Sequence, residues 1–241
     1  MYKIALISIS GNISYENESI LALDQLLNDC DEFQAFALWI VSGGGSLAVA
    51  HDLSTRILKS GIPSVAIIGE LCASAAYYLA LSTGRIVANP AALIGGLCAS
   101  LEIAKYGNLH KKIGLQRITY GSGALKGMLS PYGELDISAD EMSAIKDILS
   151  DLDSLFHNFL NERRPKSVDL GALHDGRLVS GVRALCLGLV DELGGIEEGI
   201  KYVCEELQST EFEIVSIESD STSNVDSQVS PINFLISHFN L

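Results

Sequence analysis

The feature that most limits how this chain can fold is a repeated alternation between short apolar, β-branched runs and segments with helical spacing. Residues 3–10, 34–41 and 63–69 each carry a near-continuous apolar run of strand length. Such runs suit strands buried on both faces, as in a parallel sheet. Between them, Ile20, Leu21, Leu23 and Leu26-Leu27 recur at helical spacing, and a second helix is expected over about 46–60. Short strands are expected at Arg85–Ala88 and Ala92–Leu97, a helix over 100–113 and an extended stretch at 116–120. A long helix is expected from near Ser138, where Ser138-Ala139-Asp140-Glu141 has the form of a capping box, to about Glu162. A shorter helical region, a turn at Asp175-Gly176, a helix over about 181–188, one further helix and a strand at 212–217 complete the pattern. Strands joined by helices predict an α/β layered fold with its site at the carboxyl ends of the strands.

Residues 1–217 are read as one enzyme-like domain and 218–241 as a tail. The tail opens on a polar, serine-rich stretch that cannot support a core and ends in Ile232-Asn233-Phe234-Leu235-Ile236. An apolar peptide on such a tether could occupy a groove of its own chain or of a neighbour. The N-terminal apolar run is too short for a signal peptide or a membrane span and reads as the first strand, so no integral membrane segment is expected. Five cysteines in unpaired spacing, with no Cys/His ligand cluster, point to a reduced, cytoplasmic setting without structural zinc. Neither a metal nor another cofactor is expected. Thirty acidic residues against sixteen basic ones give a net charge of −14, which argues against nucleic-acid partners and anionic membranes.

Three loops carry candidate chemistry. Ser42-Gly43-Gly44-Gly45-Ser46 follows a strand and opens a helix, so its amides could hold an oxyanion or a phosphate, or form only a tight turn. Ser74, flanked by Ala73 and Ala75-Ala76, stands where a strand turns into a small-residue helix. That placement suits an exposed nucleophile, or a helix N-cap. Lys126, in the small and uncharged setting Gly121–Gly127, could act as a general base if burial lowered its pKa. No histidine among His51, His110, His157, His174 and His238 forms an evident triad in sequence.

Taken in order, Ser42-Gly43-Gly44-Gly45-Ser46, Cys72-Ala73-Ser74-Ala75-Ala76-Tyr77-Tyr78 and Ser122-Gly123-Ala124-Leu125-Lys126 resemble the signal peptide peptidase A (SppA) family. The 52-residue step from Ser74 to Lys126 is similar to its single-copy, bacillus-type members. Ile86–Pro90 and Gly188–Gly195 extend the likeness over about residues 3–205. The resemblance implies a Clp protease/crotonase-like superhelix of β–β–α units with C-terminal helices. It implies a serine protease with a Ser74–Lys126 dyad, an oxyanion hole of backbone N–H groups at Gly44, Gly45 and Ala75, hydrophobic peptide substrates of the signal-peptide-remnant kind, and a homo-oligomeric ring or dome. Three departures stand out: Gly43 replaces a proline, Ala75-Ala76 replace two glycines, and Gly96 replaces the serine that orients the lysine. The alternatives are a catalytically weakened peptide-binding or scaffold protein, a phage-type capsid maturation protease and, last, an acyl-CoA enzyme of the crotonase kind.

Overall fold

The computed structural model describes residues 1–28, 32–118, 120–132, 137–165 and 173–217. Cys30, part of the helical region expected before Asp175, and the tail from 218 lie outside the described residues. The chain divides into two compact units, one of residues 1–98 and 157–217 and the other of residues 99–156.

The first unit is built on an eight-stranded sheet. The apolar runs become β1 (Tyr2–Ile13), β2 (Ala35–Gly45) and β3 (Ser64–Ala73), with α1 (Glu18–Asn28) and α2 (Leu47–Ser60) between them. Ser46 caps α2 by accepting the Val49 N–H, and Gly61 closes it in the left-handed conformation. β1, β2 and β3 pair in parallel, with β8 (Phe212–Ile217) parallel to β1 at one edge. As the continuous apolar pattern predicts, these strands are buried on both faces. Ile4, Leu6, Ala35, Ala37, Val65 and Ile67 pack with Ile200 and Val203 of α7 (Ile196–Leu207). The alternate residues Ile7, Phe36, Leu38, Ala66 and Ile68 are equally buried. The expected mixed α/β fold is the one observed.

The sheet forks along β3. Val65–Ile68 pair with β4 (Arg85–Ala88), whereas Leu71–Ala73 pair with β5 (Leu93–Gly95). The switch falls at Gly69, where a Cβ would lie 2.4 Å from the Trp39 ring. On one branch β4 continues to β7 (Glu192–Leu193), and on the other β5 meets β6 (Leu178–Ser180) antiparallel. Neither β6 nor β7 is expected from the sequence, since two or three residues carry no periodicity. A second difference is that β2 and β3 run on through segments read as loops. Ser42 pairs with Cys72 and Gly44 with Asn12, each beyond a register shift.

The turn before β7 is held by charge. Arg164 donates to Asp191 through two nitrogens, at 2.5 and 2.9 Å, and Asp191 accepts the Ile86 N–H at 2.8 Å. α6 (Gly181–Cys186) and α7 flank this segment. Burial pushes the Asp191 carboxyl up, but hydrogen bonds and charge from Arg164, with the Ile86 N–H, outweigh it and hold the pKa below its ordinary value.

In the second unit α5 (Ala139–Arg163) begins in the expected capping box: Glu141 donates its N–H to Ser138 Oγ, and Ser138 donates its N–H to Glu141 Oε2. The helix expected over 100–113 is confined to α4 (Gly107–Lys112), and residues 116–118 are not in a strand.

Asp191→Ala is expected to lower stability at neutral pH by about 3 kcal/mol, because it removes both bonds that Asp191 accepts from Arg164 and the one it accepts from the Ile86 amide. A depressed carboxyl pKa stabilises the fold above the unfolded value of about 4 and loses that effect as pH falls through the folded value. Urea midpoints of wild type and variant are therefore expected to converge in acid.

Candidate active site

At the end of β3 the backbone turns sharply into α3 (Ala75–Ala80), and Ser74 makes the turn with φ 53° and ψ −126°. Only Ser74 and Gln208, among the described non-glycine residues, have positive φ. Such a conformation costs on the order of 1–3 kcal/mol and persists only where surrounding contacts impose it. Those contacts are visible. The Ser74 N–H donates to Gly95 O at 2.9 Å, and Ser74 O accepts the Tyr78 N–H at 3.0 Å. Ser74 occupies the N-cap position of α3, but its hydroxyl makes no capping bond. Of the residues from Cys72 to Ala80, it alone is not buried.

The glycine-rich end of β2 lies against this turn. A Cβ on Gly44 would sit 2.7 Å from Ser74 Cβ, 2.8 Å from Ala73 O and 3.1 Å from Ala75 N. Only a residue without a side chain permits that approach, and φ +108° at Gly44 favours glycine again. Gly45 is placed differently. Its Cβ would meet Asn12 Oδ1 and the Ile13 backbone at 2.6 Å, so it is wedged against β1. The Gly44 backbone therefore lies close to both Ser74 and the Ala75 N–H. Ala75, as first residue of α3, has no intrahelical acceptor for its N–H, and none of the described residues outside the helix accepts it. The Gly44 N–H donates to Ser42 Oγ at 3.1 Å, and the buried Ser42 hydroxyl donates to Gly11 O at 2.6 Å.

Sequence reasoning missed this hydroxyl as the brace of the glycine segment. The signal was its position immediately before three glycines. It missed Gly95 as the acceptor that fixes Ser74, which no pattern marks. Cys72, two residues before Ser74, is fully buried, and burial pushes its thiol up, away from the reactive thiolate. His51 on α2 is engaged through Nδ1 with Tyr78 OH at 2.9 Å. Gly96, at φ 61°, lies on the other side of Ser74, where a Cβ would be 3.2 Å from Ser74 N.

Lys126 belongs to the second unit. It sits in consecutive turns, its N–H donating to Gly123 O at 3.2 Å, and is exposed where sequence reasoning looked to burial. Glycines at 121, 123 and 127 allow the chain to fold back there, and none of the three would meet another atom closer than 3.5 Å through an added Cβ.

Comparison with known proteins adds a match to the model of Peptidase family S49 over residues 56–209, more than half of the chain. The chain belongs to peptidase family S49. The matched region holds both Ser74 and Lys126, and the Gly44 segment precedes it. A protein of Enterococcus faecium that carries the name signal peptide peptidase SppA is 25% identical over 239 residues, covering 91% of this chain and 68% of the relative. A protein of Methanocaldococcus jannaschii named as a protease is 28% identical over 182 residues, covering 74% of this chain and 58% of the relative. The chloroplastic serine protease SPPA of Arabidopsis thaliana is 28% identical over 205 residues, covering 80% of this chain and 29% of the relative. This S49 chain thus spans under two thirds of the length of the second relative and under one third of the third.

Gly44→Ala is expected to cost about 2–4 kcal/mol, from left-handed strain and overlap with Ser74. Gly43→Ala, whose Cβ would meet only Leu71 Cδ2 at 3.7 Å, is expected to change stability by less than about 1 kcal/mol. Paired urea denaturation curves check the contrast.

Proposed function

We propose that this chain is a serine endopeptidase that hydrolyses short hydrophobic peptides with Ser74 as nucleophile and Lys126 as general base. The observation that carries the reading is the strained turn at Ser74: an uncommitted hydroxyl beside an uncommitted Ala75 N–H, with Gly44 in contact. Membership of family S49 and the protease names of its relatives support the same reaction class.

In this reading Ser74 Oγ attacks the peptide carbonyl carbon as its proton passes to the neutral Lys126 amine. The carbonyl oxygen becomes an oxyanion facing the Ala75 and Gly44 N–H groups. The latter exchanges Ser42 Oγ for the oxyanion as charge develops. Collapse breaks the C–N bond, the leaving amine takes the proton from Lys126, and water attacks the acyl-serine in the second half. A neutral amine requires desolvation. Because Lys126 is exposed in the single chain, the reading includes closure over it by bound peptide or by a second copy in a homo-oligomer. Gly45, held against β1, takes a supporting part in the oxyanion strand. Free cysteines at 72, 186 and 204 agree with a cytoplasmic setting. Among the described residues no helix is long and apolar enough to cross a membrane.

A second reading, a peptide-binding homologue with weakened chemistry, is favoured by Gly96, which offers no side chain to orient a lysine. A fluorophosphonate probe separates the two. Ser74→Ala and Lys126→Ala are each expected to cut labelling by at least about a thousandfold, the scale seen when one member of a catalytic unit is removed, with unfolding midpoints unchanged. Labelling of Ser74→Ala at the wild-type rate would sink the peptidase. Tight peptide binding without an acyl-enzyme in the mass spectrum would favour the second reading.

A further inference from the structure

Charge is not spread evenly along the chain. Residues 103–133 contain Lys105, Lys111, Lys112, Arg117 and Lys126 and not one Asp or Glu, in a protein with 30 acidic and 16 basic residues. Within this stretch the second unit forms an open cleft of about 420 Å³, lined by His110, Lys111, Leu115, Arg117, Ile118 and Tyr132 among others. That volume lies in the range of small-molecule sites. The Arg117 guanidinium lies over the Tyr132 ring at 4.2 Å from its centroid, and the His110 ring stacks on the same side chain at 4.9 Å. The ring fixes the plane of the guanidinium and leaves its N–H edge available. Among the described residues Arg117 makes no ion pair. Beside it Leu115 and Ile118 expose 50% and 72% of their surface.

We infer that this cleft binds the free C-terminal carboxylate of an apolar peptide. A guanidinium stacked on a ring and in no ion pair among the described residues selects a planar oxyanion, which it grips through two parallel hydrogen bonds. The adjoining Leu115 and Ile118 surface selects an apolar neighbour to that anion. A carboxylate with an aliphatic side chain next to it meets both demands, whereas a bare phosphate uses the cations and leaves the apolar wall wet. The peptide nature of the ligand rests on the peptidase reading, since every peptide-bond cleavage creates a new C-terminal carboxylate. The cleft is thereby a holding site for peptide ends, assembled from different residues than those around Ser74.

Calorimetric titration of the full chain with N-acetyl-leucyl-leucine, its C-terminal amide and inorganic phosphate tests this. The acid is expected to bind saturably and the amide about tenfold more weakly, the loss typical of a charge-assisted pair. Arg117→Gln is expected to remove that discrimination, and Lys59→Gln, a charge removed from α2, to preserve it. Equal binding of acid and amide, no binding of either, discrimination that survives Arg117→Gln, or phosphate binding more tightly than the acid would each overturn the inference. Fluorophosphonate labelling in the same preparations keeps the two proposals apart. Labelling at Ser74 without carboxylate discrimination removes only the cleft, and discrimination without Ser74-dependent labelling removes only the peptidase.

Discussion

The hydrogen bond from Ser74 N–H to Gly95 O joins the two features on which the site depends, the forked sheet and the strained turn. β3 carries two partners in succession, β4 along its first half and β5 along its second. Only the second partner reaches Ser74. If β5 did not take over at Leu71, the carbonyl that anchors the Ser74 amide would be elsewhere, and a residue with φ 53° would relax into an ordinary cap. The fork also explains why Gly95 is glycine: its Cβ would lie 2.3 Å from Arg177 O, at φ +148°. The antiparallel β6 therefore closes on β5 with no room for a side chain.

The same economy of side chains operates across Ser74. Gly44 on one side and Gly96 on the other bring backbone against backbone, so the turn is held by sterics and amides. Polar side chains enter only at one remove. Ser42 bridges Gly11 O and the Gly44 N–H, tying β1 to the glycine end of β2. The Ser42 hydroxyl thereby fixes the Gly44 amide from behind, while the Ala75 N–H has no acceptor among the described residues.

Much of the fold was legible because burial on both faces leaves an unmistakable sequence trace. The runs at 3–10, 34–41 and 63–69 read as buried strands, and the Ser138 capping box marked where α5 begins. Where elements are short, the trace fails. β6 and β7 are set by pairing with β5 and β4, and no local pattern announces them. The helix expected over 100–113 shrinks to Gly107–Lys112, since no side chain caps its start, Gly114 at φ 75° closes its end with Leu115 N–H bonded to His110 O, and the segment buries no residue that would extend it. For the site, residue types and order pointed to Ser74 and to the glycine strand. Register decided which glycine touches it. Beyond the register shift between β1 and β2, Gly44 pairs with Asn12 and Gly45 with Ile13, and their Cβ directions differ: that of Gly44 meets Ser74, that of Gly45 meets Ile13. Such a distinction lives in pairing geometry and is invisible to composition or spacing.

Gly96 shows how backbone demands and side-chain chemistry compete at one position. At φ 61° it occupies left-handed space, where any other residue adds strain, and a Cβ there would press on Ser74 N at 3.2 Å. That same nitrogen is committed to Gly95 O. A side chain at 96 would therefore act on the turn first and on any lysine second, by pushing against the amide that holds Ser74 in its strained conformation. Glycine relieves this pressure and leaves the bond from Ser74 N–H to Gly95 O undisturbed. The serine turn is thus set by local backbone packing, and glycine at 96 is part of that packing rather than a gap in it.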